Sequence, residues 1–359
     1  MPVTIVVGAQ YGGEGKGKIV AHLAKRDNPD FVVRCGGPNS GHTVYVGDQV
    51  FKLRLLPAGF VNPRSRLLLA AGCILDLNLL LHEIEITGTD IRRVGIDRNA
   101  MILSAEDGTR ESQRDLRNRI GSTLSGTGNA VARRVLRDSS VKLASDIPEA
   151  RMLLTDVSLE INSGIDKGQL CIIEGTQGFG LSLYHTQCYP YATSRDTTAS
   201  AFLSEVGLSP LKVDSIIMAI RTFPIRVEGN SGLLKHEITW EELQKRSGYP
   251  YPINEYTTVT GRLRRVAGFD FELVRRAAMV NRPTELALHG VDYLDYSNKS
   301  ITNFELITSS AKDFIKRVES DLGVPIILIG TGPEQYEIVD RALDETKIAF
   351  AGRSELKDA

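Results

Sequence analysis

The stretch VVGAQYGGEGKGKIV, residues 6–20, decides the fold of this chain. It joins the apolar run Val3–Val7, which predicts a buried strand, to Lys16–Arg26, whose apolar spacing predicts a helix. A glycine-rich loop between a strand and a helix is typical of α/β proteins that bind phosphate, because backbone N–H groups there can surround an anion.

The spacing within this loop nearly matches a phosphate-binding loop. Gly12, Gly17 and Lys18 stand at the expected positions, but Ile19 takes the place of the Ser or Thr that usually binds Mg²⁺. A glycine-rich turn that caps a helix with solvated lysines is the alternative. We expect the loop to bind phosphate, with Lys16 and Lys18 as countercharges.

The rest of the chain alternates short apolar runs with amphipathic stretches. Further strands are predicted at Phe31–Arg34, Arg66–Ala71, Gln169–Ile173, Ile216–Ile220, Glu285–Leu288 and Pro325–Ile329. Further helices are predicted at Asp76–Ile86, Pro148–Asn162, Asp270–Val280 and Ala311–Leu322, and a hairpin at Thr43–Arg54. This pattern predicts a single large α/β domain over residues 1–359, with a central, mostly parallel sheet.

Composition narrows the possible partners. The 359 residues carry 43 Lys and Arg against 44 Asp and Glu, a net charge of −1, which argues against a nucleic-acid or membrane surface. The four cysteines form no CxxC pair, so we expect reduced thiols and no zinc site. No apolar run is long enough to cross a membrane, which favours a cytoplasmic protein.

Several later loops carry candidate functional residues. His42 follows a glycine-rich segment and is a candidate acid or electrophile, although a lone histidine is more often structural. Gln177 lies between small residues and could contact a base edge, with a plain polar loop as the alternative. Arg262, Arg264 and Arg265, beside two glycines, predict an anion site rather than a solvated charge run. The turn at residues 329–335 could contact a nucleotide, and Pro333 is expected to open a helix there.

Together these segments resemble the adenylosuccinate synthetases, ligases that join aspartate to C6 of a purine nucleotide. The family's first loop reads GxQWGDEGKGK, and residues 8–18 here read GAQYGGEGKGK. Further family motifs with counterparts are GGxNAGHT at residues 36–43, EGxQG at 174–178, YPYVTS at 189–194, TTGRRRR at 259–265 and STGP at 330–333. The resemblance covers nearly the whole chain and is strongest to the compact, archaeal-type branch.

The resemblance implies a two-step reaction and its catalytic groups. A nucleoside triphosphate phosphorylates O6 of the monophosphate, and the amine of aspartate then displaces that phosphate. Lys16 is implied to contact the transferring phosphate, His42 to stabilise charge on O6, and Gln177 to contact the base. The Gly41 carbonyl is implied as a Mg²⁺ ligand, with the Gly13 backbone as a second candidate. The expected cofactors are Mg²⁺ and ATP, with GTP or dATP as alternative donors.

The resemblance also implies three groups of binding residues. The triphosphate group comprises Gly12, Glu14, Gly15, Lys16, Gly17, Lys18, Gly41, Thr43, Asp292, Gly330, Thr331 and Gly332. The monophosphate group comprises Asn39, Ser122, Thr123, Arg133, Gln177, Thr193 and Val227, and the aspartate group comprises Thr260, Arg262 and Arg264. Arg133 matches a family arginine that reaches the monophosphate from the partner subunit, which implies a homodimer with Arg133 acting in trans.

Three positions depart from the family pattern. The family's Asp in the first loop, which takes the N1 proton of inosinate and binds Mg²⁺, is Gly13 here. The Lys of the nucleotide-base motif TKLD is Gly290, with the Asp retained as Asp292, and one arginine of the arginine run is Leu263. Loss of the Asp resembles phage-type relatives that act on deoxyguanylate, because a carboxylate beside C2 would crowd a 2-amino group. Loss of the Lys loosens guanine selection, in line with ATP use by those relatives.

The sequence therefore predicts a phage-like ligase that joins aspartate to C6 of dGMP with ATP and works in the host cytoplasm. One alternative is a GTP-dependent adenylosuccinate synthetase that acts on IMP and uses Glu14 or water as the base. The other is an inactive nucleotide-binding protein. Retention of His42, Arg262 and Arg264 counts against inactivity, because binding a nucleotide alone does not require an aspartate clamp.

Overall fold

A ten-stranded sheet forms the centre of the protein, in a computed structural model that describes residues 2–343. Residues 344–359 of the predicted domain lie outside the described residues. The strands are β1 Val3–Gly8, β2 Phe31–Arg34, β3 His42–Val46, β4 Gln49–Leu53, β5 Arg66–Leu69, β6 Ile74–Leu75, β7 Val94–Asp97, β8 Met101–Ile102, β9 Lys142–Leu143, β10 Leu154–Thr155, β11 Cys171–Glu174, β12 Val213–Arg221, β13 Ile225–Val227, β14 Glu237–Ile238, β15 Arg264–Ala267, β16 Glu285–His289, β17 Ile326–Gly330 and β18 Ile338–Asp340. The α-helices are α1 Lys16–Arg26, α2 Leu77–Ile86, α3 Ala105–Gln113, α4 Leu116–Ile120, α5 Thr127–Val135, α6 Val157–Ile165, α7 Ala199–Val206, α8 Trp240–Ser247, α9 Phe271–Asn281 and α10 Ser309–Leu322.

The strand order of the main sheet is β10-β7-β5-β2-β11-β1-β12-β16-β17-β18. Every neighbouring pair is parallel except β17 and β18, which are antiparallel. All four residues of β2 and of β11 are buried, as expected for strands covered on both faces. This arrangement confirms the predicted α/β class and the mostly parallel sheet.

Two sequence predictions differ from the structure. The helix expected at Pro148–Asn162 is split into a 3₁₀ turn, the strand β10 and the start of α6. The break occurs because Leu154 and Thr155 pair with β7, after which the Asp156 carboxylate accepts the Leu159 N–H at 2.9 Å and begins a new helix. Pro333 opens no helix; it lies in a turn that leads to β18.

Two smaller sheets complete the site region. The predicted hairpin is present as β3 and β4, paired antiparallel around Gly47 and Asp48. Strands β13, β15 and β14 form an antiparallel sheet with its own small apolar cluster, which includes Ile225 and Trp240. Residues of both sheets line the cavity described below.

The sheet order determines where the functional loops meet. Strands β2, β11, β1, β12 and β16 are consecutive neighbours and parallel, so the loops that follow them lie at one edge of the sheet. The phosphate loop follows β1, and the segment that carries Asn39 and Gly41 follows β2. Among residues 2–343, no helix is both long and apolar enough to span a membrane.

Candidate active site

A cavity of about 670 Å³ lies at the carboxyl ends of the central strands. It brings together residues from all three of the predicted binding groups. Those that line it are Gly12, Gly13, Gly15, Lys16, Gly17, Lys18, Asn39, Gly41, His42, Thr43, Thr123, Gln177, Val227, Thr260, Arg264, Asp292 and Gly332. Segments far apart in the sequence therefore form one site.

Eight predicted residues do not line this cavity, namely Glu14, Ser122, Arg133, Thr193, Arg262, Arg265, Gly330 and Thr331. Some stand directly behind the lining. The Thr193 hydroxyl is 3.4 Å from the Asn39 amide nitrogen, and Ser122 is next to Thr123. Arg262 lies outside, where its Nε is 3.4 Å from Glu228.

Arg133 is held within its own chain. One guanidinium nitrogen donates to both oxygens of Asp107 at 3.0 Å, and the other donates to Ser140 at 3.0 Å. Asp107 also accepts the Asn129 side-chain amide at 2.7 Å. The role of Arg133 in a partner subunit stays a prediction.

A buried carboxylate organises the phosphate loop. Glu14 Oε1 accepts the N–H groups of Gln10 at 3.0 Å and Gly12 at 2.9 Å. Glu14 Oε2 accepts the Lys16 ammonium at 2.7 Å. Because every one of these partners belongs to the loop, Glu14 sets its shape from beneath and does not face the cavity.

The loop leaves the beginning of α1 open. Gly15 is the N-cap residue, with φ +78° and no side-chain capping bond. The first N–H groups of a helix have no partner within it, and they point towards an anion placed at its N-terminus. The Gly15 Cα also packs closely on His289, whose Nε2 would be 2.7 Å from a Cβ at residue 15.

Lys18, in the first turn of α1, supplies a cation to the cavity lining. Its Nζ donates to the carbonyl oxygens of Gly332 at 2.8 Å and Glu337 at 2.7 Å. Burial lowers the pKa of this ammonium to about 8. A bound phosphate would stabilise the charged form.

His42 is buried at the base of the cavity, and neither of its ring nitrogens has a hydrogen-bond partner among the described residues. Its Nδ1 is 3.7 Å from Glu174 Oε1, a carboxylate that already binds Arg34 and the Ala58 N–H. Burial, together with the charge of Arg34, holds the His42 pKa well below its usual value. A neutral imidazole with free ring nitrogens can donate a hydrogen bond to an oxygen that gains charge.

The wall around Gly13 is apolar on one side and cationic on the other. A Cβ at residue 13 would lie 2.8 Å from Ile225 Cδ1 and 3.4 Å from Arg264 Nη1. The Gly13 carbonyl accepts a hydrogen bond of 3.0 Å from Arg221, which also pairs with Glu255. Arg264 is thus the predicted aspartate-binding cation that stands nearest to the phosphate loop.

Gln177 adopts an unusual backbone conformation. Its φ of +61° lies in the left-handed region that non-glycine residues rarely adopt. The side-chain Oε1 lies 3.6 Å from the position of a Cβ at Gly12, so this amide stands against the phosphate loop. Such backbone strain is commonly found at functional sites.

Sequence reasoning missed several cavity residues that share one signal. Each is the last residue of an apolar, parallel strand, and they are Arg34, Glu174, Arg221 and His289. Ligands of α/β sheets bind at the carboxyl ends of strands. A polar residue at the end of an apolar strand could therefore have been predicted as a site residue from the sequence. Tyr249, also missed, gave no such signal.

Few oxygen ligands are available for the Mg²⁺ that the resemblance implies. No group of three or more His, Cys, Asp or Glu side chains in residues 2–343 could hold a metal ion. Glu14 is engaged with the loop, and the Gly13 carbonyl accepts from Arg221. The Gly41 carbonyl remains as a predicted protein ligand, so the residues suit a Mg²⁺ ion held mainly by nucleotide phosphates and water.

The family model and two curated relatives that match this chain are described as adenylosuccinate synthetase. A family model described as adenylosuccinate synthetase matches residues 5–151 and 138–301. The adenylosuccinate synthetase of Archaeoglobus fulgidus is 45% identical over 341 residues, which cover 95% of this chain and 98% of that protein. That of Thermococcus sibiricus is 43% identical over 346 residues, with 95% and 98% covered.

Two solved structures share the fold. Fully ligated adenylosuccinate synthetase from Plasmodium falciparum gives a TM-score of 0.83 at 21% identity, and covers 95% of this chain and 100% of that one. Succinoaminodeoxyadenylate synthetase of cyanophage S-2L, bound to dGMP and to dATP as an energy donor, gives 0.80 at 25% identity and covers 95% of each chain. With the family model matched over most of its length and archaeal relatives at 43% and 45% identity, the chain belongs to the adenylosuccinate synthetase family of carbon–nitrogen ligases.

Proposed function

We propose that this ligase joins the amine of L-aspartate to C6 of dGMP, with ATP as the phosphoryl donor. The products are N6-succino-2-amino-2′-deoxyadenylate, ADP and phosphate. The observation that carries the proposal is the wall at Gly13, where the family's carboxylate is absent and Ile225 packs against the glycine. A purine that carries a 2-amino group fits such a wall without a side chain crowding C2.

The geometry of Gly13 disfavours any side chain at this position. Its φ of +73° lies in the left-handed region, and a Cβ would meet Ile225 Cδ1 at 2.8 Å. Contacts below 3.0 Å force a neighbour to move. The surrounding packing is therefore adapted to glycine.

Two nearby carboxylates, those of Glu14 and Glu255, are already engaged by other residues. Glu14 is buried, and its oxygens are used by Gln10, Gly12 and Lys16. Glu255 is held by Arg221 and by Tyr293. These contacts count against Glu14 as the base in an inosinate reaction.

GTP-dependent synthesis of adenylosuccinate from IMP is the second candidate. Overall similarity favours it over the dGMP reaction, since the archaeal relatives at 43% and 45% identity are named adenylosuccinate synthetase, whereas the cyanophage enzyme is 25% identical. Overall identity does not report on a single substrate-facing residue, however. The local geometry at Gly13 is the reason to place dGMP first.

The chemistry assigns roles to the cavity residues. Oxygen at C6 leaves poorly, so the γ-phosphoryl group is first transferred to O6, which makes phosphate the leaving group when the amine attacks C6. Lys16, Lys18 and the glycine N–H groups bind the transferring phosphate, and His42 donates to O6. Arg264, with Thr260, binds a carboxylate of aspartate.

The Gly41 carbonyl would be this chain's ligand for Mg²⁺, which would supply neutralisation of the phosphate charge when bound with the triphosphate. The remaining proposed triphosphate contacts are Gly12, Gly15, Gly17, Thr43, Asp292, Gly330, Thr331 and Gly332. Glu14 belongs to this group through the loop that it supports.

The monophosphate is proposed to lie opposite, between Asn39, Ser122, Thr123, Thr193 and Val227, with Gln177 on the base. Arg133 completes this site from a second subunit, which requires a homodimer. Because Arg133 binds Asp107 in its own chain, reaching a partner's phosphate would exchange those bonds. Light scattering of the purified enzyme and an Arg133→Ala variant test this part.

One assay decides between the candidates. Aspartate-dependent phosphate release is measured with dGMP, GMP and IMP, each with ATP and with GTP, and the nucleotide product is identified by mass spectrometry. The proposal expects the highest kcat/KM for dGMP with ATP. Highest activity for IMP with GTP would overturn it in favour of the second candidate, and no activity with any pair would favour an inactive nucleotide-binding protein.

A further inference from the structure

His289, the last residue of β16, is a buried polar side chain that the proposed reaction does not use. It is 8% exposed and lines the cavity. Its ring nitrogen Nε2 has no hydrogen-bond partner among residues 2–343. Buried polar groups in folded proteins are nearly always paired, so this nitrogen lacks a partner that a bound molecule can supply.

Two glycines hold the imidazole ring of His289 in place. On one side, its Cδ2 and Nε2 would each lie 2.7 Å from a Cβ at Gly15, and on the other, a Cβ at Gly330 would collide with Nδ1. Neither glycine has a side chain that could pair with the ring. The imidazole is therefore packed between the phosphate loop and the end of β17, with Nε2 facing Gly15.

The surroundings of this nitrogen favour an anion. Gly15 is the N-cap residue of α1, where the first N–H groups of the helix attract negative charge. Burial and the nearby charges of Lys18, Arg221 and Lys16 hold the pKa of the imidazole well below its usual value, which favours the neutral ring. Lys16 and Arg221 are paired with carboxylates, whereas Lys18 donates to two carbonyl oxygens and keeps its charge available to an anion. A neutral imidazole still carries one N–H that can donate to the same anion.

We infer that His289 is a further binding residue for the triphosphate, whose Nε2–H donates to a phosphate oxygen at the beginning of α1. The inference rests on the proposed function in one respect, that the loop binds a nucleoside triphosphate, and it does not depend on which base that nucleotide carries. A hydrogen bond to a charged group contributes about ten- to a hundred-fold in affinity, which sets the expected effect of removing the donor. A ring that only filled the space between two glycines would not require a donor.

The test compares His289→Gln with His289→Met, whose new side chains have nearly the same length and shape. The Gln amide can place an N–H where the imidazole Nε2–H stands, and Met has no donor. Calorimetric titration with ATP should give a Kd near the wild-type value for the Gln variant and a Kd about ten-fold or more higher for the Met variant. Inorganic tripolyphosphate, which has no base, should show the same difference between the variants. Adenosine, which has no phosphate, should compete equally well in both.

A measurement on the native side chain covers the case that neither variant folds. ATP should shift the Nε2 resonance of His289 in proton–nitrogen NMR spectra, and His42→Asn removes the signal of the other buried histidine, so the response can be assigned. A wild type that binds ATP or GTP, with equal Kd values in the folded Gln and Met variants or no shift at His289, would overturn the inference and leave the proposed function standing. A wild type that binds neither nucleotide would overturn the proposed function and the inference together.

Discussion

Ile225 fills the space beside Gly13, with its Cδ1 2.8 Å and its Cγ1 3.1 Å from the position of a Cβ at residue 13. Ile225 is buried in the small cluster around the antiparallel sheet, so it cannot move aside freely. Forcing extra atoms into such packing typically costs about 1–3 kcal/mol. The identity of residue 13 is therefore coupled to that of residue 225.

The first prediction is that Gly13→Asp combined with Ile225→Val reverses the preference between dGMP and IMP. Val removes Cδ1, and Asp tolerates a left-handed φ better than most residues. The new carboxylate crowds a 2-amino group, and it supplies a base near N1 and an oxygen for Mg²⁺. We expect the ratio of kcat/KM values to shift towards IMP by about ten-fold or more.

Two single variants serve as controls for this exchange. Ile225→Val alone should keep the dGMP preference, and Gly13→Ala should lose stability without gaining IMP activity, since it adds a Cβ but no carboxylate. An unchanged ratio in the double variant would show that Gly13 does not determine specificity.

The second prediction concerns His42→Asn. If His42 donates to O6 as charge develops, its loss should lower kcat by about a hundred-fold or more and leave the KM for dGMP nearly unchanged. His82→Asn, an exposed histidine beside Glu85, is the control and should retain wild-type turnover. Full turnover by the His42 variant would return this residue to a structural role.

The His42 environment adds a pH dependence. Burial and the charge of Arg34 hold the His42 pKa well below its usual value, which favours the neutral imidazole near neutral pH. The kcat profile should therefore show no step near the usual histidine pKa of about 6.5. A step there that disappears in the His42 variant would contradict a neutral donor.

The third prediction is that Arg264→Ala impairs the use of aspartate. Removal of a charge-assisted hydrogen bond costs about 1.5–3 kcal/mol, so the KM for aspartate should rise about ten- to a hundred-fold while the Kd for ATP changes little. Arg265→Ala is the matched control, because Arg265 pairs with Glu237 and does not line the cavity. Equal effects of the two substitutions on aspartate would remove the assignment.

Much of the fold could be predicted because the central strands are continuous apolar runs. Phe31–Arg34 and Lys16–Arg26 were predicted with the bounds that the structure shows. The prediction over Pro148–Asn162 was wrong because pairing of Leu154 and Thr155 with β7 is a long-range interaction that overrides local helical spacing. Strand β7, Val94–Asp97, was missed for a similar reason, since its four residues include Gly95 and Asp97.

The residues of the candidate site were likewise predicted only in part. Loops with compact motifs, such as that of Gly12 to Lys18, were found because their chemistry is local. The hydrogen bond between Tyr249 and Asp292 in the cavity wall was not predicted, because the two residues are 43 positions apart in the sequence. Contacts of that kind become visible only when the fold brings the two segments together.

The last prediction is that binding of ATP takes up a proton through Lys18. In the free protein, burial lowers the Lys18 pKa to about 8, so part of the population is neutral at pH 8 and above. A bound triphosphate favours the charged ammonium and raises its pKa, so the affinity should fall as the pH rises above 8, by as much as about ten-fold per pH unit for one coupled proton. The free energy of unfolding of the ligand-free enzyme should instead rise with pH between pH 8 and 10.5. In that range the unfolded chain, with the usual lysine pKa of 10.5, binds more protons than the folded one.

Calorimetric titration with ATP at pH 8.5, in two buffers of different ionisation enthalpy, measures the proton uptake directly. Lys18→Arg keeps its charge throughout this range, so it should bind without proton uptake and with a flatter pH dependence. Equal uptake in wild type and Lys18→Arg would show that another group titrates, and no uptake in wild type would remove Lys18 from the triphosphate site.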